Sequence, residues 1–145
     1  MQGYNVIAVF SLDKSKMLMC KRVKDPYKGL YNMVGGKIEP NEDGFSAAYR
    51  ELFEESGITG KDIRLVHLMD FSYPLDECYV EVYAGRLFHD VELREEKNPL
   101  LWLSADENYF DMSRFAGEGN IGHIMEHVKL HSGLIFGEEN SNEHI

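Results

Sequence analysis

Gly36-Lys37-Ile38-Glu39-Pro40-Asn41-Glu42 leads, after seven residues, into Arg50-Glu51-Leu52-Phe53-Glu54-Glu55-Ser56-Gly57-Ile58. Asn41-Glu42-Asp43 offers a side-chain cap and negative charge for a helix start, and Gly57 after Ser56 is a natural helix stop, so the segment reads as a helix of about four turns. At about 100° per residue, with Glu51 at zero, Glu54 falls at about −60° and Glu55 at about +40°. Phe45, Tyr49, Leu52, Phe53 and Ser56 fall between roughly 100° and 200°, which predicts an apolar face and a three-glutamate face pointing in different directions. Three carboxylates in one arc repel each other, at a cost of a few tenths of a kcal/mol (roughly 0.2–0.5) per like-charge pair on an isolated helix. A solvated acidic face would tolerate that cost, and a bound cation would remove it. Carboxylate oxygens suit hard ions, Mg²⁺ above all, which keeps some of its waters and shares substrate phosphates.

Upstream of this segment, Asn5 to Phe10 and Lys16 to Arg22 read as strands joined by the polar turn Leu12-Asp13-Lys14-Ser15. A loop from Asp25 to Leu30 and the short apolar piece Tyr31 to Val34 then run into Gly35-Gly36, where backbone can approach a ligand closely. Downstream, Ile63 to Phe71, Cys78 to Leu87 and Leu100 to Leu103 have strand character, Ile121 to Leu130 has helical spacing, and Leu134 to Phe136 reads as a last short strand. Hairpins mixed with one crossover predict an α/β or α+β architecture, a mixed sheet between helices. The 145 residues, 43% of them apolar, fit a single domain over 1–145, with a polar tail over about 137–145 that is expected to fray.

Composition removes several classes of function. A formal charge of −10 opposes a sequence-independent grip on a nucleic-acid polymer, which needs clustered Lys and Arg. No run approaches the roughly 20 apolar residues of a membrane helix, and Met1-Gln2-Gly3-Tyr4-Asn5 lacks the pattern of a signal peptide, so a cytoplasmic location is expected. Cys20 and Cys78 stand singly in apolar stretches and read as packing residues. His123, His127 and His131 share a helix face and read as a surface stripe, while Trp102 reads as core.

From Gly36 to Ile58 the spacing resembles the Nudix box, G-x5-E-x7-R-E-U-x-E-E-x-G-U with U aliphatic, at every specified position. Seven fixed residues match by chance on the order of once in 10⁸ windows. The flanking order of hairpin, glycine loop, helix and later strands is also similar to the Nudix α/β/α sandwich.

That resemblance implies a hydrolase that cleaves a nucleoside diphosphate linkage with Mg²⁺, for which Mn²⁺ is a possible substitute. It implies that Glu51, Glu54, Glu55 and the Gly36 carbonyl hold metal, with Glu96 from a later loop as a further ligand. The general base is expected to be Glu54 or Glu51, with Glu95 or Glu96 in reserve. Arg50 belongs to the catalytic set as the residue that locks loop to helix, by pairing with Glu42 or Glu39. Leu30-Tyr31-Asn32-Met33-Val34-Gly35-Gly36-Lys37 resembles the segment of nucleotide-sanitising members of the 8-oxo-dGTP diphosphatase type, which makes Asn32 the base-reading candidate and Tyr31 its aromatic neighbour. Phe115 and Glu118 are expected around the base, and Lys37 and either Lys21 or Arg22 near phosphate oxygens. The implied partner is a small-molecule nucleotide, with the protein a monomer or homodimer. The substrate alternatives are a modified purine nucleoside triphosphate, or ADP-ribose and similar diphosphate compounds. A non-catalytic nucleotide sensor is a third reading, which the intact glutamates disfavour.

Overall fold

In the computed structural model, which describes residues 1–137, six strands form one mixed sheet flanked by helices. In chain order the elements are β1 Gln2–Phe10, β2 Lys16–Lys21, β3 Tyr31–Asn32, α1 Gly44–Ser56, β4 Val66–Tyr73, β5 Cys78–Arg86, β6 Leu100–Ser104, α2 Asn120–Leu130 and α3 Ser132–Phe136. The sheet order is β3-β2-β1-β5-β4, with β6 also on β2. β1 and β5 run parallel from Gln2↔Cys78 to Phe10↔Arg86, and the other pairs are antiparallel.

Alternation along the strands builds two cores, because successive side chains leave a strand on opposite faces. Ile7, Val9, Leu18, Cys20 and Tyr83 point to one face, where they meet Ala48 and Leu52 of α1. Ala8, Phe10, Met17, Met19, Val82 and Ala84 point to the other, where they meet Ile121, Ile124 and Val128 of α2 and Ile135 of α3. The result is the expected α/β/α sandwich. No helix among the described residues is long and apolar enough to cross a membrane.

β1 meets β2 at Phe10↔Met17, and its N-terminal half instead pairs with the glycine loop: Asn5 N–H donates to the Gly36 carbonyl at 2.8 Å and Ile7 N–H to that of Val34 at 2.9 Å. The loop is thus stitched to a central strand. α1 begins where Asp43 accepts the Ser46 N–H at 2.9 Å and ends at Gly57, whose φ of 82° is the left-handed turn that glycine adopts without strain.

Two expectations need correction and a third holds in part. Phe45 and Phe53 are exposed, and the buried residues of α1 are Ala47, Ala48, Leu52 and Ser56. On the same wheel those residues span about −40° to +140°, an arc that includes Glu51 and Glu55. The apolar and acidic faces therefore overlap, and two of the three glutamates face inward. Leu134 to Phe136 belongs to a short helix instead of a strand. Leu134 and Ile135 N–H both turn back to the His131 carbonyl, Ile135 is buried, and Phe136 packs edge-on against Phe10 at 5.1 Å. An apolar run this short has no periodicity to separate the two states. Trp102 is only partly buried, packed against the α1-side core. The tail expected to fray lies outside the described residues except for Gly137, which closes α3 at φ 66°.

Candidate active site

Arg50 is the hub of the box. Its Nε donates to Glu42 Oε2 at 2.5 Å and one terminal nitrogen to Glu42 Oε1 at 2.8 Å, a two-pronged grip of planar guanidinium on carboxylate. That nitrogen also reaches the Lys37 carbonyl at 3.0 Å, while the other donates to Glu51 at 3.1 Å and to Glu54 at 3.3 Å. The partner in the loop is Glu42 and not Glu39, which contributes its N–H to the same Glu42 carboxylate. The guanidinium beside it holds the Glu42 carboxyl down at about 2.

Glu55 faces the glycine loop, where the Gly35 N–H lies 3.4 Å from its carboxylate. Burial pushes its carboxyl up to about 7, with a further push from Glu51 and Glu96. Burial likewise raises Glu51 above the usual carboxylate range, against the pull of Arg50. Glycine is needed at Gly35, where a Cβ would overlap the Asn5 carbonyl, whereas a Cβ at Gly36 would meet the movable end of the Glu51 side chain.

The donors fit a hard divalent cation in kind. They are carboxylate oxygens and a carbonyl, and burial holds the Glu55 carboxyl above the usual carboxylate range. The expected convergence of three carboxylates is not displayed, however. Glu51 and Glu54 turn to Arg50 and Glu55 to Gly35, and among the described residues no group of three acidic, His or Cys side chains is drawn together as around an ion. Two of the mutually repelling anions, Glu51 and Glu54, have taken the nearby cation Arg50. The Gly36 carbonyl already accepts the Asn5 N–H, which leaves its second lone pair for a ligand.

A cleft leads away from these groups. A 210 Å³ cavity lined by Gly35, Gly36, Glu55, Asn5 and Asn98 adjoins a 580 Å³ chamber, and the two share Tyr4, Val6, Arg22, Asn32, Met33 and Val80. Asn32 thus stands at the junction, its carbonyl oxygen accepting the Met33 N–H at 2.8 Å. Glu118 lines the chamber and accepts the Tyr27 hydroxyl at 2.8 Å, tying two loops across it.

Other expected residues fall elsewhere. Phe115 is buried in the core with its ring 6.2 Å from that of Tyr31, so neither flanks the cleft as a free stacking face. Lys21 lies over the Tyr31 ring at 5.9 Å and Lys37 is exposed; neither lines the cavity or the chamber, whereas Arg22, the alternative to Lys21, lines both. Glu96 is exposed but close enough to act on Glu55, and Glu95 is spent on the Leu100 N–H at 2.9 Å. Sequence reasoning missed Asn5 and Tyr27, which carry no motif; only an asparagine on the inward face of an apolar strand could have drawn notice to Asn5.

The sandwich, the glycine loop stitched to β1 and the glutamate helix clasped by Arg50 define a domain of the Nudix class. The chain belongs to this family: the NUDIX domain model matches residues 1–121. It is 29% identical over 111 residues to the NAD-capped RNA hydrolase NudC of Haemophilus influenzae, an alignment covering 76% of this chain and 40% of that protein. The CTP pyrophosphohydrolase of Escherichia coli is 30% identical over 112 residues, covering 74% of this chain and 80% of that one. A solved structure of MutT, from work on Aliivibrio salmonicida and Vibrio cholerae, superposes with a TM-score of 0.69 at 21% identity, covering 89% of this chain and 98% of that one. The chain therefore spans less than half of the NudC relative but most of the CTP-hydrolysing one.

Proposed function

We propose that this chain hydrolyses a nucleoside triphosphate, preferentially one with a modified purine such as 8-oxo-dGTP, to the nucleoside monophosphate and pyrophosphate. The observation that carries this reading is the continuity of the cleft, from the chamber at Asn32 and Glu118 to the cavity floored by Gly35, Gly36 and Glu55. A base in the larger space places its phosphates over the box. The relationship to a CTP pyrophosphohydrolase that the chain nearly spans supports a triphosphate substrate. The charge of −10 supports a free nucleotide over an RNA polymer, whose phosphates it would repel.

Glu51, Glu54, Glu55 and the second lone pair of the Gly36 carbonyl would hold Mg²⁺, or Mn²⁺ in its place, with Glu96 as an outer contributor. When bound, the ion neutralises phosphate charge and acidifies a water. The chain's own residues do the rest. Arg50 holds loop and helix in fixed relation through Glu42 and Lys37. Glu54, the box glutamate most open to solvent, accepts the proton of the attacking water. Asn32 presents donor and acceptor to a purine edge. Water adds to one phosphorus of the α,β bridge, the bond from that phosphorus to the bridging oxygen breaks, and the nucleoside monophosphate and pyrophosphate separate, the bridging oxygen staying with the phosphorus that was not attacked.

The test is a panel of 8-oxo-dGTP, dGTP, CTP, ADP-ribose and NAD-capped RNA, each with and without Mg²⁺. The expected result is metal-dependent release of pyrophosphate, fastest from a purine triphosphate. Faster turnover of ADP-ribose would move the substrate class to diphosphate derivatives, and no turnover of any member would leave a nucleotide sensor.

A further inference from the structure

Asn5 is 1% exposed, on the same face of β1 as Ile7 and Val9, where an apolar residue would be expected. Its side-chain oxygen accepts the Gly36 N–H at 3.0 Å. Because an N–H must be met by an oxygen, that bond fixes which end of the amide is which, and the –NH₂ group is the other end. This nitrogen is enclosed and has no hydrogen-bond partner, the sole buried side-chain nitrogen or oxygen in that condition among the described residues. Buried donors are rarely left unmet, since the lost solvation is not repaid. The acceptor side has been settled by Gly36 and the nearby Glu55 carboxylate has gone to Gly35, so the surrounding protein supplies nothing to this donor.

Asn5 lines the 210 Å³ cavity together with Gly35, Gly36 and Glu55. Building on the function proposed above, we infer that Asn5 binds the substrate's diphosphate directly, its side-chain –NH₂ donating to a phosphate oxygen in that cavity. A phosphate oxygen is a charged acceptor with spare lone pairs, and a hydrogen bond to it is stronger than one to a neutral group. The geometry gives Asn5 two duties on one side chain. The oxygen holds the Gly36 peptide in place, and the nitrogen meets the anion that the peptide lies beside.

Two measurements test this, both with inorganic pyrophosphate in the presence of Mg²⁺ as the probe. In calorimetry, Asn5→Ala is expected to bind pyrophosphate at least about tenfold more weakly than the unaltered chain, while guanosine, which has no phosphate, binds both within about twofold. In ¹⁵N–¹H spectra of the unaltered chain, one side-chain amide proton of Asn5 is expected to move downfield on adding pyrophosphate and to stay in place on adding guanosine. The spectrum needs no variant, so it decides the matter even if Asn5→Ala fails to fold. If Asn5 only clamps Gly36, or its donor serves an ordered water alone, the amide proton will not respond to pyrophosphate, and the inference is overturned. Absence of both pyrophosphate binding and nucleotide turnover in the unaltered chain overturns the parent reading as well; turnover with a silent Asn5 overturns this one alone.

Discussion

Glu54 keeps 48% of its side chain in solvent where Glu51 keeps 13%, and the proposed mechanism assigns them different roles on that ground. On the proposed mechanism, replacing Glu54 with Gln removes the proton acceptor, and at so open a position the change leaves the core packing alone. Turnover should fall by roughly 10² to 10⁴, with the melting temperature within a degree or two (about 0.5 kcal/mol or less for a surface change); pyrophosphate release and a thermal melt read the two effects separately. Glu55 behaves differently because burial holds its carboxyl at about 7 against an ordinary 4.5. Below about pH 4.5 it is neutral both folded and unfolded, and burial costs nothing. Between 4.5 and 7 only the unfolded chain ionises, so stability falls as pH rises, by at most something on the order of 3 kcal/mol in the metal-free protein. Glu42 shifts in the opposite sense, its stabilising effect being lost only as pH falls from 4.5 towards about 2, so it does not mask that window. Denaturant melts from pH 5 to 8 should show a downward slope that Glu55→Gln flattens. An identical slope in both proteins would assign the effect to other groups.

At the scale of the element, α1 carries the site, and its ends are set by two residues. Asp43 accepts both the N–H and the hydroxyl of Ser46, and Gly57 closes the helix in a left-handed turn. Asp43→Ala should therefore cost about 1 kcal/mol of stability, measured by urea unfolding. Activity should fall only as far as the Glu42 side of the loop loosens. These ends are legible in sequence because caps are local chemistry, and the Arg50–Glu42 clasp is nearly so because seven intervening residues already suggest loop-to-helix pairing. The orientation of the helix is not legible. Phe45 and Phe53 outweigh Ala47 and Ala48 in any hydrophobic count, yet the alanines are buried and the rings exposed, because the face that α1 presents is set by its packing on the sheet, where Ala48 and Leu52 meet Ile7, Val9 and Tyr83, and not by its own composition. Whether Leu134 to Phe136 forms strand or helix depends on the His131 carbonyl and on the Phe10 ring, 126 positions away in sequence (136 − 10).

Across the whole molecule, the cleft divides into a larger chamber and a smaller cavity at the box, with Asn32 where they join; the function proposed above puts the base in the first and the phosphates in the second. Of that division the sequence discloses only the box end. The chamber is assembled from β1, β5, α2 and the loops bearing Tyr27 and Glu118, which no spacing rule brings together. Separate spaces imply separable kinetic parameters. Asn32→Ala removes a donor and an acceptor from the base end and leaves Arg50, Glu54 and Glu55 untouched, so it should raise KM for the preferred nucleoside triphosphate by about 10- to 100-fold (roughly 1–3 kcal/mol for hydrogen bonds left unmade). The value of kcat should stay within a few-fold, and preference among bases should collapse, because the discrimination rests on that amide. Glu54→Gln should do the reverse, lowering kcat with KM and base preference retained. If both substitutions depress kcat alike and leave base preference intact, base and phosphate are not held in distinct parts of the cleft, and Asn32 serves only to hold the Met33 N–H at the turn.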